Sequence, residues 1–401
     1  MKIAIAGTRG IPPRYGGFET FAAELSARLA ARGHEVAVYC REAAPTTDNR
    51  QPATDSWNAV QRIVLPALHH KYLETVSHTL LSALDALRRD FDVVLLCNAA
   101  NAFVLPLLRA ARIPAAINVD GIERHRRKWN VAGKAVYAIG ESFSALFANR
   151  VVADAAVIAD YYRQRYGIEP VMIPYGAEFP AEDDSDILQR LAVEAGNYIL
   201  YVSRFEPENN PLEVVLAYEQ IAGVLGSGLK SKVPKEKRRQ DHKTESALST
   251  LDLTPGPPLI MLGSASYARD LESELRGHAS DSILFPGALY GNDYRTLQRN
   301  ALIYIQATEV GGTHPAMIEA MASGGCVLAN DTPENREVGG DAAGYFSLRP
   351  SQTLSGTLSE CLSSPEMRER MRLAARARAG EKYGWTAVTD AYERLFTAIA
   401  L

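Results

Sequence analysis

The sequence predicts an α/β protein of two successive units, each a parallel β-sheet covered by helices on both faces. Short apolar runs typical of buried strands alternate with segments of helical spacing, from Lys2–Ala6 to Val171–Ile173. The alternation begins again at Tyr198–Val202 and continues to Val327–Ala329. Because strands that alternate with helices favour parallel sheets, we expect two Rossmann-like domains whose sheets face each other across a deep cleft.

The domain boundaries follow the breaks in this alternation. We assign residues 1–178 to a first domain, residues 179–195 to an acidic linker and residues 196–382 to a second domain. The last stretch, 383–401, is predicted to form a helix that packs back on the first domain. A basic run poor in apolar residues interrupts the second unit, and we interpret residues 226–258 as a flexible surface insertion.

Composition and charge exclude several classes of protein. A chain of 401 residues with a formal net charge of -4 is not the basic type that binds nucleic acid. The four cysteines lie far apart without a C-x-x-C pair, which favours a reducing cytoplasm over a zinc site or a disulfide framework. The longest apolar stretch is shorter than the ~20 residues of a spanning helix. We therefore expect a cytoplasmic protein whose membrane contact, if any, is peripheral.

A glycine-rich loop follows the first strand. Gly16 and Gly17 immediately precede a helix, so backbone N–H groups and the positive end of the helix dipole can approach an anion there. Arg9 and Arg14 can add charge, and a diphosphate is a suitable ligand. A Gly/Pro-rich turn without a ligand is the alternative. The loop is not G-x-G-x-x-G, so it does not predict a dinucleotide site.

A second loop follows the strand Tyr198–Val202 and contains Arg204. A guanidinium at the end of a strand can hold phosphate oxygens through two hydrogen bonds. The alternative is a surface ion pair with a nearby carboxylate.

A third loop contains Gly311, Gly312 and Thr313 and leads into another helix. The start of that helix predicts a second anion site. Glu319 lies further along the same helix, where a carboxylate can accept hydrogen bonds from ribose hydroxyls. Alternatively, Glu319 only complements the helix dipole.

A basic cluster follows the strand Ala115–Val119. Its members are Arg124, Arg126, Arg127, Lys128 and Trp129. Lysine and arginine beside a tryptophan suit an anionic interface, either an acceptor diphosphate or a membrane surface. A solvated turn with the tryptophan packed underneath is the alternative.

Together these loops resemble retaining glycosyltransferases of family 4, which have the GT-B fold, over nearly the whole chain. The most characteristic stretch is Glu319–Gly324, EAMASG. The stretches TRGIP, YGGFE, PENN and GGTHP are similar to a bacterial rhamnosyltransferase-type subgroup that works in surface polysaccharide synthesis. The resemblance implies transfer of a hexosyl group, L-rhamnose from dTDP-rhamnose in that subgroup, to a saccharide or polyprenyl-diphosphate-linked acceptor at the inner face of the cell membrane.

The resemblance also implies roles for matching positions. The nucleotide-sugar donor would be held at its diphosphate by Gly16, Gly17, Arg204, Asn209, Gly311, Gly312 and Thr313. Glu319 would hold the nucleotide ribose. Asp120, at the end of the strand Ala115–Val119, is the candidate for positioning the acceptor or removing its proton. Arg204 and Glu309 complete the catalytic set.

The chain departs from the family pattern at two positions. The family's usual lysine aligns with Asn209, so one positive charge on the phosphates is missing, and Arg9 or Arg14 would have to compensate. The family also pairs two glutamates eight positions apart. Here the position eight before Glu319 is Gly311, and Glu309 stands two residues earlier.

We expect neither a metal nor a cofactor. Metal-dependent transferases present D-x-D after a strand, whereas the DSD of residues 184–186 lies in the acidic linker. Arg204 and the helix starts would stabilise the leaving diphosphate instead. One alternative is a non-catalytic nucleotide-sugar-binding protein of the same fold. The other is a nucleotide-sugar oxidoreductase or epimerase, which would need a glycine fingerprint and a Y-x-x-x-K pair that the sequence lacks.

Overall fold

The computed structural model describes residues 1–13, 16–41, 53–68, 73–126, 129–178, 185–230, 256–265, 268–348 and 352–400. They form two α/β lobes, each built on one sheet. We call the lobe with the N-terminal sheet the first lobe and the other the second lobe. No helix among these residues is long and apolar enough to cross a membrane.

Eight strands form the sheet of the first lobe. They are β1 (Lys2–Ala6), β2 (Glu35–Arg41), β3 (Ala53–Trp57), β4 (Val60–Leu65), β5 (Val93–Cys97), β6 (Ala115–Asn118), β7 (Arg150–Ala153) and β8 (Val171–Met172). Their order is β3-β4-β2-β1-β5-β6-β7-β8, and every pairing is parallel except that of β3 with β4. The apolar runs do not predict β3, because its sequence ATDSW has the polar composition that an edge strand tolerates.

Six parallel strands form the sheet of the second lobe. They are β9 (Ile199–Val202), β10 (Leu259–Leu262), β11 (Ile283–Gly287), β12 (Ile303–Gln306), β13 (Val327–Asn330) and β14 (Gly344–Phe346). Their order, β11-β10-β9-β12-β13-β14, is that of a Rossmann sheet. In each sheet the winding reverses beside the first strand, β1 or β9. The loops after those two strands therefore open onto the crevices where such sheets bind ligands.

Helices cover both sheets. Those of the first part of the chain are α1 (Gly17–Ala31), α2 (Glu74–Ala86), α3 (Leu105–Ala110), α4 (Val131–Phe147), α5 (Ala156–Tyr166) and α6 (Ile187–Arg190). Those of the second part are α7 (Pro211–Lys230), α8 (Arg269–Gly277), α9 (Gly291–Arg299), α10 (Pro315–Ala322), α11 (Pro333–Gly339), α12 (Gln352–Ser363), α13 (Pro365–Lys382) and α14 (Trp385–Ala400). Helix α7 reaches into the stretch that we interpret as a flexible insertion, so its first residues are helical. Residues 231–255 lie outside the described residues.

The last helix, α14, lies against the first lobe. The ring centroids of Phe21 and Tyr392 are 5.4 Å apart, and Asn118 Nδ2 donates to the Tyr392 hydroxyl at 3.0 Å. On the surface, Arg32 Nη1 lies 2.6 Å from Asp390 Oδ1. The chain therefore crosses from the second lobe back to the first, and this contact helps to fix how the two lobes face each other.

Candidate active site

A cavity of about 370 Å³ lies between the carboxyl ends of the two sheets. The first lobe contributes the loop after β1, the start of α1, Arg126 and Glu178. The second lobe contributes the loops that follow β9, β10, β11 and β12, together with the start of α10. The volume lies within the range of small-molecule sites. Residues that are nearly 300 positions apart in sequence thus meet in one cavity.

Two helix starts face each other in this cavity. A Cβ added to Gly17, the first residue of α1, would lie 3.2 Å from Cγ of Pro315, the first residue of α10. Gly16 is the residue before α1, and a Cβ there would meet only a side-chain oxygen, at 3.5 Å. Because the positive ends of two helix dipoles point toward the same space, the cavity favours an anion.

Arg204 lies in the cavity on a firmly held loop. The Phe205 amide donates to the Ser264 carbonyl at 3.0 Å, and Asn209 Nδ2 donates to the Arg204 carbonyl at 2.7 Å. The guanidinium itself is 40% exposed, and its Nη1 lies 3.6 Å from Glu206 Oε1. The backbone is therefore fixed while the charged end remains open to a ligand. Asn209 also lines the cavity, and its side chain holds the loop.

Arg126 also lies in the cavity, which favours the predicted contact with an anionic ligand over a contact with a membrane surface. The side chain is only 8% exposed, and its Nε lies 2.6 Å from Glu123 Oε1. Its Nη1 reaches across to the second lobe, 3.5 Å from Glu206 Oε2 and 3.7 Å from Glu208 Oε1. Burial lowers the pKa of Arg126, but the facing carboxylates, Glu123 foremost, raise it by more. The site therefore holds a permanent second cation.

Glu319 lines the cavity from the second turn of α10. The Tyr294 hydroxyl donates to Glu319 Oε2, and Gln298 Nε2 donates to that hydroxyl at 2.7 Å. Burial raises the pKa of Glu319 to about 7, although the bond from Tyr294 opposes this. The carboxylate is thus held in one orientation and lies close to its titration point at neutral pH.

The glycine loop before α10 is filled by a side chain of the first lobe. Both the amide and the hydroxyl of Thr313 donate to Asp154 Oδ2, at 2.7 and 2.9 Å. A Cβ on Gly312 would overlap the Asp154 carboxylate, and a Cβ on Gly311 would overlap the ring of His314. The donors predicted to bind phosphate at Thr313 therefore bind Asp154, and the loop joins the two lobes. The helix itself begins at Pro315.

Asp120 lies beside the cavity, two residues after the end of β6. Its φ is 54°, in the left-handed region that non-glycine residues adopt at a cost of about 1–3 kcal/mol. The Tyr175 hydroxyl donates to Asp120 Oδ1 at 3.2 Å. Burial and the nearby Glu123 raise the pKa of Asp120, whereas Arg126 lowers it. A residue whose backbone is strained and whose carboxyl group has a raised pKa is typical of a functional position.

Within the part of the chain that the structure describes, the remaining predicted residues do not line the cavity. The Glu309 amide donates to the Glu208 carbonyl at 2.9 Å, and the Arg9 amide donates to Glu19 Oε1 at 2.8 Å. Arg124 Nε lies 3.4 Å from Glu141 Oε1, and the Trp129 ring lies 5.2 Å from that of Tyr137. Outside the described residues lie Arg14, Arg127 and Lys128.

Several residues of the cavity were missed by sequence reasoning. His314, before α10, stands in the GGTHP stretch, and burial lowers its pKa to about 4, so it is neutral at pH 7. Tyr294 and Gln298 lie on α9, where no motif marks them. Glu24 and Glu178 add carboxylates from the first lobe. Only His314 carried a signal, through its place beside the predicted anion site.

Within the described ranges, no group of three or more His, Cys, Asp or Glu side chains is arranged to hold a metal ion. The expectation of a metal-free reaction stays a prediction.

Two Rossmann-like lobes that enclose a cation-bearing cavity form the architecture of the GT-B fold. Residues 15–178 match the family model "Glycosyltransferase Family 4", and residues 236–378 match "Glycosyl transferases group 1". The chain therefore carries a family 4 N-terminal domain followed by a group 1 domain, and it is a glycosyltransferase. A comparison with curated protein sequences gave no match.

Solved structures share the fold over nearly the whole chain. Sucrose-phosphate synthase from Thermosynechococcus elongatus has a TM-score of 0.74 at 17% identity, with 99% of each chain covered. HepE from Anabaena, in complex with UDP and glucose, has a TM-score of 0.71 at 15% identity, covering 99% of this chain and 100% of that chain. A UDP-forming trehalose-phosphate synthase from Burkholderia vietnamiensis has a TM-score of 0.69 at 10% identity, with 99% and 100% covered. At these identities the likeness shows the fold alone.

Proposed function

We propose that the protein transfers a hexosyl group from a nucleoside-diphosphate sugar to a saccharide or polyprenyl-diphosphate-linked acceptor, with retention and without a metal ion. One observation carries the proposal: Gly17, Arg204 and the start of α10 share a single cavity. Breaking the anomeric C–O bond leaves charge on the departing diphosphate. Fixed donors and cations aimed at that charge lower the barrier without reorganising during the reaction.

The two arginines of the cavity would hold the diphosphate. Arg126 comes from the first lobe and Arg204 from the second, and each places an Nη1 within 3.6 Å of one carboxylate, that of Glu206. A phosphate group accepts hydrogen bonds from guanidinium in the same way. The donor diphosphate would take the place between the arginines as Glu206 turns aside. Arg126 would thus supply the charge that the family's lysine provides at position 209.

Glu319 would accept hydrogen bonds from the nucleotide ribose, because its carboxylate is held in the cavity by Tyr294. Asp120 would position the acceptor hydroxyl or take its proton, since its raised pKa suits a group that gains and loses a proton. Retention follows from the resemblance to family 4.

Two donors are favoured for testing. The sequence resemblance favours dTDP-L-rhamnose, and the structures of HepE in complex with UDP-glucose favour UDP-glucose as the second candidate. A panel of nucleotide sugars, scored by thermal shift and by release of nucleoside diphosphate, separates them. Release of nucleoside diphosphate also separates an enzyme from a non-catalytic binding protein. Fluorescence on adding NAD(P)H tests for an oxidoreductase or epimerase, and no binding is expected.

Arg204→Ala tests the proposed chemistry. Loss of one charge donor should cost about 2–4 kcal/mol of transition-state stabilisation, seen as a fall in kcat/KM of about 30- to 10³-fold. Arg163→Ala is the control, because that arginine lies on α5 outside the cavity lining and is 46% exposed. Equal activity of the two variants would refute the assignment of Arg204.

Arg126→Gln tests the second cation. Its removal should weaken donor binding about tenfold or more, whereas Arg124→Gln, two residues earlier, should leave donor binding unchanged. If both variants bind donor equally well, Arg126 does not contact the diphosphate.

A chelator tests the metal-free reaction. EDTA should leave turnover intact, and loss of activity that Mg²⁺ or Mn²⁺ restores would contradict this part of the proposal.

A further inference from the structure

Helix α2 presents mainly aliphatic side chains to solvent. Its most exposed residues are Val76, Leu80, Leu81 and Leu84, which are 38–42% exposed. The buried face of the same helix carries His78, Thr79 and Ser82 beside two alanines. A helix on the surface of a soluble protein normally shows the reverse arrangement, with its apolar stripe facing the core.

Helix α4 shows the same inversion. Its exposed residues are Val131, Ala132, Lys134, Ala135, Val136, Ile139 and Leu146. Its buried residues are Gly140, Glu141 and Ser144. Lys134 is thus the single polar side chain among these exposed residues of the two helices. The carboxylates of α2, Glu74 and Asp85, are only 25% and 19% exposed and lie in ion pairs with Arg41 and Arg89.

The two helices flank the same part of the first lobe. Both contact the short 3-10 helix Ala99–Val104. We call their outer surface, together with Leu73 just before α2, the α2–α4 face. Of the fourteen large hydrophobic side chains that are exposed in the described part of the chain, nine lie on this face. Large exposed apolar patches on a protein surface mark interaction sites.

We propose that the α2–α4 face docks on a membrane that contains anionic lipid. Leu, Val and Ile side chains enter the apolar boundary of a bilayer, and a lysine beside them binds acidic headgroups. Trp129, two residues before α4, packs on Tyr137 with ring centroids 5.2 Å apart, and tryptophan and tyrosine are enriched at membrane interfaces. The helices have 13 and 17 residues, so they would lie along the surface of the bilayer.

A second copy of the chain fits this face less well. In a two-fold contact the face would meet itself, bringing Lys134 and its symmetry mate together without an exposed carboxylate from either helix. Protein interfaces are also depleted in lysine, whereas Lys134 is exposed on this face.

Docking would place the cavity close to the membrane surface. Val131, the first residue of α4, follows the cavity residue Arg126 by five positions, a span of at most roughly 18 Å of chain. A lipid-linked acceptor could then enter the cavity without leaving the bilayer. The inference deepens the acceptor proposed above and rests on it only for this consequence, because docking itself requires no turnover.

Sedimentation of the full chain with vesicles tests the proposal. Vesicles of phosphatidylcholine alone are compared with vesicles that also contain phosphatidylglycerol, and the wild-type protein should bind the anionic vesicles more tightly. Leu84→Gln combined with Ile139→Gln should lower binding about tenfold or more. Leu373→Gln, a 65% exposed leucine on α13 of the second lobe, is the matched control and should bind as the wild type does.

Lys134→Glu should abolish the preference for anionic vesicles. Donor binding by the soluble variants, measured by thermal shift with nucleotide sugar, should equal that of the wild type, and this reading shows that each variant is folded. It also separates a failure of membrane docking from a failure of the proposed transferase chemistry.

Two outcomes overturn the proposal. One is a wild-type protein that binds neither kind of vesicle. The other is a wild-type dimer in analytical ultracentrifugation that the Leu84→Gln, Ile139→Gln variant converts to a monomer, which would make the α2–α4 face a contact between copies of the chain.

Discussion

The two glycine pairs of this chain look alike in sequence but do different things in the structure. Gly16 and Gly17 precede α1 and border the cavity, where a Cβ would meet nothing closer than 3.2 Å. Gly311 and Gly312 precede α10 and are covered by His314 and by Asp154 of the other lobe. A glycine pair before a helix therefore leaves room either for a ligand or for a neighbouring part of the protein.

The substitution Gly312→Ala is expected to show the difference between the two glycine pairs most strongly, as a loss of stability. The new methyl group would overlap the Asp154 carboxylate, which two bonds from Thr313 hold in place, so the lobes would have to move apart. Overpacking of this kind typically costs about 1–3 kcal/mol, measured as free energy of unfolding in urea. Gly16→Ala is the control and should change that free energy little. Equal stability of both variants would show that the loop of Gly311 and Gly312 is not packed between the lobes.

The pH dependence of donor binding tests whether Glu319, which lines the cavity from α10, binds the nucleotide ribose. Burial raises the pKa of Glu319 to about 7, so the carboxylate gains its charge between about pH 6 and 8. The ionised carboxylate accepts hydrogen bonds from ribose hydroxyls better than the protonated form does. Donor affinity should therefore rise with pH, by at most about tenfold per pH unit below the pKa. An intact nucleotide sugar is the ligand to use, measured by calorimetry.

Glu319→Gln should remove most of this rise, because an amide does not titrate. Asp154, whose pKa burial raises to about 7 as well, is unchanged in that variant and serves as an internal control. A rise in affinity that persists in Glu319→Gln would assign the titration to another group.

The substitution Thr313→Val should change stability least of these variants. It distinguishes most clearly between a structural role of Thr313 and a contact with the donor phosphates. The variant loses the hydroxyl bond to Asp154 Oδ2 but keeps the amide bond, so unfolding should become easier by about 1 kcal/mol. Donor affinity should stay the same, since the hydroxyl faces Asp154. If affinity falls while stability does not, Thr313 contacts the phosphates as the sequence predicts.

The sequence predicted the fold and part of the cavity for one physical reason. Parallel strands place their carboxyl ends on one edge of a sheet, so the loops that lead to Arg204 and Glu319, which belong to one sheet, can be brought together from strand order alone. The GT-B fold and the transferase class are confirmed. The sugar, the acceptor and the role of each residue stay predictions.

Other features depend on how the lobes sit against each other, which local patterns do not encode. Arg126 stands in a basic run that indicates a surface, yet carboxylates of both lobes surround it. Asp154 has no motif at all. Helix α4 shows helical apolar spacing, which normally indicates a buried face, whereas its aliphatic residues point outward.

The return of α14 to the first lobe has a consequence for synthesis on the ribosome. Phe21 and Asn118 are made early, but Tyr392, which both contact, is made 274 residues after Asn118. The N-terminal half must therefore wait with part of its apolar surface uncovered until α14 has been made. Removal of α14 would leave that surface open permanently, exposing a nascent product to aggregation.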